Sequence, residues 1–204
     1  MNTDEPTTGT WIETYSGKRV DVENPDPATI EMGDIAHSLA RVARFCGHSH
    51  TPGIWSVAQH SLVVERYVAE EGYGPRLRLL GLLHDAHEAY VGDRAAPQKR
   101  LLPQHLKWED ALQAAIWEAI DIAPPTLEEA HLIEHADRIA LASEADWYMA
   151  SGGGGWEIGA DPQPHLLWHF DQLTCSEAAM LFTRTLGHLL GEIRRRCATT
   201  SENG

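Results

Sequence analysis

Four ionisable side chains stand where a helical protein would place apolar ones, and their types are those of a metal site. In the leucine-rich stretch 75–91, His84 follows Leu80 by four residues and Asp85 follows Leu82 by three, so both continue an apolar helical face. Asp137 interrupts the stripe Ala130, Ile133, Ala140, Leu141. His60 lies three residues after Val57 and four before Val64. Burying an unpaired carboxylate costs several kcal/mol, and two such groups side by side cost more unless a cation joins them. Two imidazoles and two carboxylates form a nitrogen–oxygen ligand set with room left for water. That set suits one Mn, Fe, Co, Ni or Zn ion, and Mg less well because Mg favours oxygen ligands. Each residue alone has an ordinary alternative: a hydrogen-bonded core histidine, or an aspartate paired with Arg138 or Arg41. The weight lies in the combination, a His-Asp pair ending a greasy helix with a histidine upstream and an aspartate downstream.

Those residues need helices to carry them, and the sequence predicts about six. Residues 34–44 show one apolar face (Ile35, Leu39, Val42, Ala43), and residues 54–70 carry the stripe Ile54, Val57, Ser61, Val64, Val68. Gly74-Pro75 opens a helix over 75–91 that is apolar almost all round, as a central helix would be, and Gly92 stops it. Further helices follow over 104–120, over 126–149 from the capping box Thr126-Leu-Glu-Glu129, and from the second capping box Thr174-Cys-Ser-Glu177 to about Cys197. Upstream, TWIETY and RVDV flank a Ser-Gly turn and predict a hairpin. Gly152–Gly155 form a loop. The predicted organisation is a disordered segment 1–10, one all-α domain over 11–197 with its small N-terminal β-hairpin, and a flexible tail 198–204, without repeats.

Composition limits the partners. Sixteen basic residues against thirty acidic ones leave a net charge of −14 over 204 residues, with no block of like charge. Such a surface repels nucleic-acid polymers, although a metal and a few cations can reverse the potential inside a pocket for a small phosphorylated substrate. Cys46, Cys175 and Cys197 are far apart and odd in number, which argues against a disulfide scaffold or a thiolate metal site. The acidic N-terminus lacks the regions of a signal peptide, and no apolar run approaches the roughly 20 residues a membrane helix needs. The expected location is the cytoplasm. The helices at 104–120 and 176–197 are amphipathic enough to pack on a second copy, so a homo-oligomer stays open.

The series Gln59-His60-Ser61, Leu82-Leu83-His84-Asp85, His135-Ala136-Asp137 resembles the H…HD…D signature of HD-domain metal-dependent phosphohydrolases. The segment 84–99, HDAHEAYVGDRAAPQK, is similar to the corresponding stretch of the bacterial 5′-deoxynucleotidase branch, as are Arg44 and the residues around it. The compact viral deoxynucleotide triphosphohydrolases share this plan. The resemblance covers roughly residues 34–150. It implies an HD-domain helical bundle, metal ligands His60, His84, Asp85 and Asp137, catalytic acids Glu88 and Asp93, and substrate contacts from Arg44 and Lys99 to phosphate. Phe45 stands where that branch carries tryptophan, so an aromatic residue for base or sugar packing survives while nucleotide preference does not transfer.

The residues fit these roles on their own terms. Glu88 is four after His84 and three after Asp85, on the same face of an unbroken helix, where it could orient a water. Asp93 lies past Gly92, where a carboxylate could exchange a proton. The expected activity is hydrolysis of a small deoxynucleotide, either a 5′-monophosphate to nucleoside and phosphate or a triphosphate to nucleoside and triphosphate. The alternatives are an HD-type phosphodiesterase on an alarmone or cyclic nucleotide, and a non-catalytic nucleotide-binding module. A zincin is disfavoured, because His84 and His87 are three apart and not four. His48, His50, His131 and His135 are candidates for a second metal, and Trp147, Trp156 and Trp168 read as core and loop anchors.

Overall fold

The structure is a computed structural model that describes residues 9–51 and 53–201, with side chains as far as 198. It is mostly helical and carries one two-stranded antiparallel sheet. Strands β1 (Trp11–Glu13) and β2 (Arg19–Asp21) pair with Ile12 opposite Val20, and Val20 inserts into the core. Order already holds at Thr10, inside the segment expected to be disordered. Its hydroxyl donates to the Asp21 carboxylate and its carbonyl accepts from Val22. Residues 1–8 lie outside the described ones. Buried Asp34 ties the hairpin down by accepting from the Ser16 backbone N–H and hydroxyl at 2.8 and 2.7 Å.

Eight α-helices are present among the described residues, two more than expected: α1 (Met32–Leu39), α2 (Val57–Glu70), α3 (Pro75–Leu82), α4 (Glu88–Val91), α5 (Ala96–Lys99), α6 (Pro103–Ala119), α7 (Leu127–Tyr148) and α8 (Cys175–Ser201). The capping boxes at Thr126 and Thr174 form as read, and Ser56 with Gln59 forms a third at the start of α2. The last helix runs to Ser201, through part of the expected tail, and 202–204 lie outside the described residues. No described helix is long and apolar enough to cross a membrane.

The predicted helix 75–91 is two pieces. After Leu82 the chain winds in three-residue turns, with Ala86 N–H donating to Leu83 O, Glu88 N–H to Asp85 O and Tyr90 N–H to His87 O. The His84 ring contributes to the break: its Nδ1 lies 2.8 Å from the Gly81 carbonyl, which an unbroken ladder would give to residue 85. The first predicted helix is also shorter than read. It ends at Leu39, and Arg44–Gly47 form a tight turn with Phe45 and Cys46 at φ 56° and 52°.

The central helix is α2, not the leucine-rich segment. It packs against α3, α7 and α8 and is buried nearly all round. Two of its buried polar residues find partners across the core: the Gln59 amide donates to Phe170 O at 2.7 Å, and Glu65 accepts from Arg78 Nε at 2.7 Å. Apolar side chains from Val20 through Leu189 form one cluster around it.

Candidate metal centre

The four expected ligands come from three separate helical segments and meet. His60 projects from the second turn of α2 and is fully buried. His84 and Asp85 sit in the turn after α3, and Asp137 sits mid-way along α7. The His60 and His84 Nε2 atoms are 3.3 Å apart. Asp137 Oδ1 lies 3.0 Å from His60 Nε2 and 3.8 Å from His84 Nε2. Asp85 Oδ2 lies 3.2 Å from His84 Nε2 and 3.7 Å from His60 Nε2. An ion held at about 2.0–2.2 Å by ligands at tetrahedral or octahedral angles separates them by about 3.0–3.6 Å. Three of these five separations fall on that scale, and the other two, at 3.7 and 3.8 Å, lie just above it.

The histidines are oriented for it. His60 Nδ1 faces Glu144 Oε1 at 2.7 Å and His84 Nδ1 faces the Gly81 carbonyl at 2.8 Å. Both Nδ1 atoms therefore carry a proton and donate, and both Nε2 atoms are aimed inward, as lone pairs when the rings are neutral. Neutral imidazoles and two carboxylates at this spacing repel unless a cation joins them, either a metal ion or a proton on the ring. The titration of the groups shows the same pull for positive charge. Burial pushes both imidazoles down, and Arg44 pushes His60 further. The surrounding carboxylates reverse this, raising His60 and holding His84 well above its usual range. Burial pushes Asp85 and Asp137 up, yet the imidazoles hold both below the carboxylate range. The side open to solvent is that of Asp137, whose side chain is 38% exposed against 0% for His60.

Around the quartet, Glu88 is almost fully buried at the start of α4, and its Oε2 has no hydrogen-bond partner. The turn geometry corrects the expected shared helical face: the helix is broken, and the three-residue turn from Asp85 to Glu88 brings the two carboxylates near one another instead. Burial, then the Asp85 and Asp93 charges, push the Glu88 carboxyl well above its normal value, against Lys99 and Arg44. Burial likewise raises Asp93, with Arg44 opposing. Lys99 ends α5, 3.5 Å from Glu88 Oε1 and 2.9 Å from Glu109 Oε1.

Arg44 is buried, its Nε 2.9 Å from Glu144 Oε2. Its backbone N–H donates to Trp55 O just before α2, so the turn is laced to the helix that bears His60. The strained backbone at Phe45, costly for an aromatic residue, sets its ring 5.4 Å from the Arg44 guanidinium and 5.9 Å from the Trp156 ring. Trp156 meets the Phe45 ring but is itself exposed, and Trp147 and Trp168 are exposed too, so none of the three anchors the core. His48, His50, His131 and His135 also lie at exposed positions. They contribute to neither cluster with metal-ligand spacing among the described residues.

The residue that sequence reading missed is Glu144. It is fully buried and bridges Arg44 to His60. Its signal was available, since it follows Asp137 by seven residues and so returns to the same face of α7. Glu109 and His105 of α6 were missed as well.

No family model matches the chain. It is similar to an uncharacterized protein of Rhodobacter capsulatus, 38% identical over 142 residues that span 67% of this chain and 71% of the relative. It is also similar to the uncharacterized protein YfdR of Escherichia coli, 36% identical over 149 residues that span 72% of this chain and 78% of the relative.

Proposed function

The chain belongs to the same family as these two bacterial proteins, and we propose that it is an HD-type, divalent-metal-dependent phosphohydrolase acting on small deoxynucleotides. The observation that carries this reading is the pair of inward-aimed Nε2 atoms 3.3 Å apart between two carboxylates. Glu88 and Asp93 beside them, with carboxyls raised by burial, supply proton-transfer groups that a purely structural metal site would not need.

His60, His84, Asp85 and Asp137 would hold the ion, with Mn, Fe, Co, Ni or Zn fitting the imidazoles better than Mg. When bound, a divalent ion lowers the pKa of water and polarises a phosphoryl oxygen. The chain's own residues do the rest. Glu88, unpartnered at Oε2, accepts a proton from the attacking water. Asp93, at the edge of the site, returns one to the leaving oxygen. The cationic groups of Arg44 and Lys99 offset charge on the phosphate, and Glu144 holds both Arg44 and His60 in place. The Phe45 ring, beside the Arg44 guanidinium, is placed to pack on the sugar or base.

A panel of deoxynucleoside mono- and triphosphates with Mn or Co tests the reading, with phosphate and triphosphate measured separately. Turnover of one class is the expected result. Turnover only of cyclic nucleotides or alarmones moves the protein to a different phosphohydrolase reaction. A metal-loaded protein inert on all of them overturns catalysis in favour of a binding module.

A further inference from the structure

A second group of buried polar side chains lies beside the centre, on the side of α6, with Glu109 in its middle. His105 is one turn before Glu109 on the same helical face, its Nε2 3.1 Å from Glu109 Oε1. His87 Nε2 approaches the same oxygen at 3.6 Å from the turn before α4. His87 is itself tied down. Its Nδ1 donates to Gln113 Oε1 at 3.0 Å, the same oxygen accepts the His87 backbone N–H, and the Gln113 amide nitrogen donates to Leu83 O. Glu109, His105, His87 and Glu88 are all at least nine-tenths buried. Glu109 takes part in neither group of metal-ligand spacing among the described residues, and the cation it faces is the Lys99 ammonium.

Lys99 has little else to hold it. The helix it ends, α5, is four residues long and buries none of them. A four-carbon stem in that position samples many rotamers unless its charged head is fixed. Two carboxylates fix it, Glu109 Oε1 at 2.9 Å and Glu88 Oε1 at 3.5 Å. The shorter contact is the anchor. The longer one is a contact that a phosphate oxygen can replace without the ammonium leaving α6. Burial pushes the Glu109 carboxyl up, and His87 and Lys99 bring it down to about 2, so the anchor is an anion at neutral pH. Glu88 alone, at 3.5 Å, is the weaker hold, and without Glu109 the ammonium turns to the solvent that its side chain, 26% exposed, already meets.

We propose that Glu109 is a positioning residue: braced by His105, it holds the Lys99 ammonium beside Glu88, where a substrate phosphate would meet it. The phosphate is taken from the phosphohydrolase reading, whereas the holding of Lys99 stands on the geometry of α6.

Amine labelling of the full chain reads the holding directly, because the sequence has three lysines, Lys18, Lys99 and Lys107. Under limiting acetic anhydride, with peptide mass spectrometry as the readout, Lys99 of the parent should acylate at least about tenfold more slowly than exposed Lys107, the scale of one charge-assisted pair. In Glu109→Gln it should approach the Lys107 rate. On whichever nucleotide is turned over, Glu109→Gln and Lys99→Gln should each raise KM about 10–100-fold, and the double variant should be no worse than either, since both remove one contact. Unchanged Lys99 labelling in folded Glu109→Gln overturns the proposal, as does a double variant whose losses add. Released labelling without turnover of any nucleotide supports the holding and overturns the phosphohydrolase reading instead. Glu109→Asp keeps the charge and withdraws it by one methylene, so it repeats the labelling test, with an intermediate rate expected, if Glu109→Gln fails to fold.

Discussion

The two polar clusters are built from the same parts, two imidazoles and two carboxylates, and differ in how the parts are held. In the first, both Nδ1 atoms are pinned, one by the Glu144 carboxylate and one by the Gly81 carbonyl, and no basic side chain enters. In the second, His87 is pinned by Gln113, and a lysine occupies the middle. The first draws on α2, the α3–α4 turn and α7, so its geometry is set by the packing of the core. The second is set largely by α6 and the chain leading into it. A core-built site can impose ligand positions that a mobile side chain cannot relax. A cluster containing a lysine carries a compensating charge of its own.

The largest way to break this contrast is Asp85→Ala. It should remove the ion of the first centre and lower turnover by about three orders of magnitude or more, because the metal's contribution to the barrier is several kcal/mol. Glu88→Gln should lower kcat by about 10²–10⁴-fold with the ion retained, which separates proton transfer from metal holding. Equal activity of parent and variant would remove Glu88 from the chemistry.

Glu144→Gln tests the pinning itself. Replacing the carboxylate that accepts from His60 with a neutral amide should weaken the ion of this centre by about 10–100-fold, the usual effect of disturbing a group that orients a metal ligand, and leave the cluster on α6 untouched. The same variant frees Arg44 from its partner, so KM for a phosphorylated substrate should rise together with the metal requirement. The smallest effect is expected at Thr126, whose hydroxyl caps α7 by accepting from Glu129 N–H. Thr126→Ala should cost about 0.5–2 kcal/mol of stability by thermal or denaturant melting, with metal content unchanged. The same cap gives a pH signature. The hydrogen bond from Arg76 holds Glu129 below the usual carboxylate range, so this contribution is present above that range and fades as pH falls below it.

The quartet was legible because each member breaks an apolar pattern: Asp137 inside an alanine–isoleucine stripe, His84 and Asp85 at the end of a leucine run, His60 beside a valine stripe. The capping boxes at Thr126 and Thr174 were legible because they are local. Glu144 was hidden by its surroundings. Ser-Glu-Ala-Asp reads as a solvated turn of helix, and only the approach of α2 and the Arg44 turn buries it. The break after Leu82 was hidden too, since no proline or glycine marks residues 83–87.

The sequence by itself determined that the chain is helical behind a hairpin, and which four residues of metal-ligand type break its apolar faces, because periodicity and its violations are local properties of the chain. Only the tertiary structure decided that α2 and not the leucine-rich segment is central. It alone decided that Glu144 couples Arg44 to His60, and that His87, His105, Glu109 and Lys99 form a second buried polar cluster. Those facts depend on which faces meet across long sequence separations, and no spacing within a single segment encodes that.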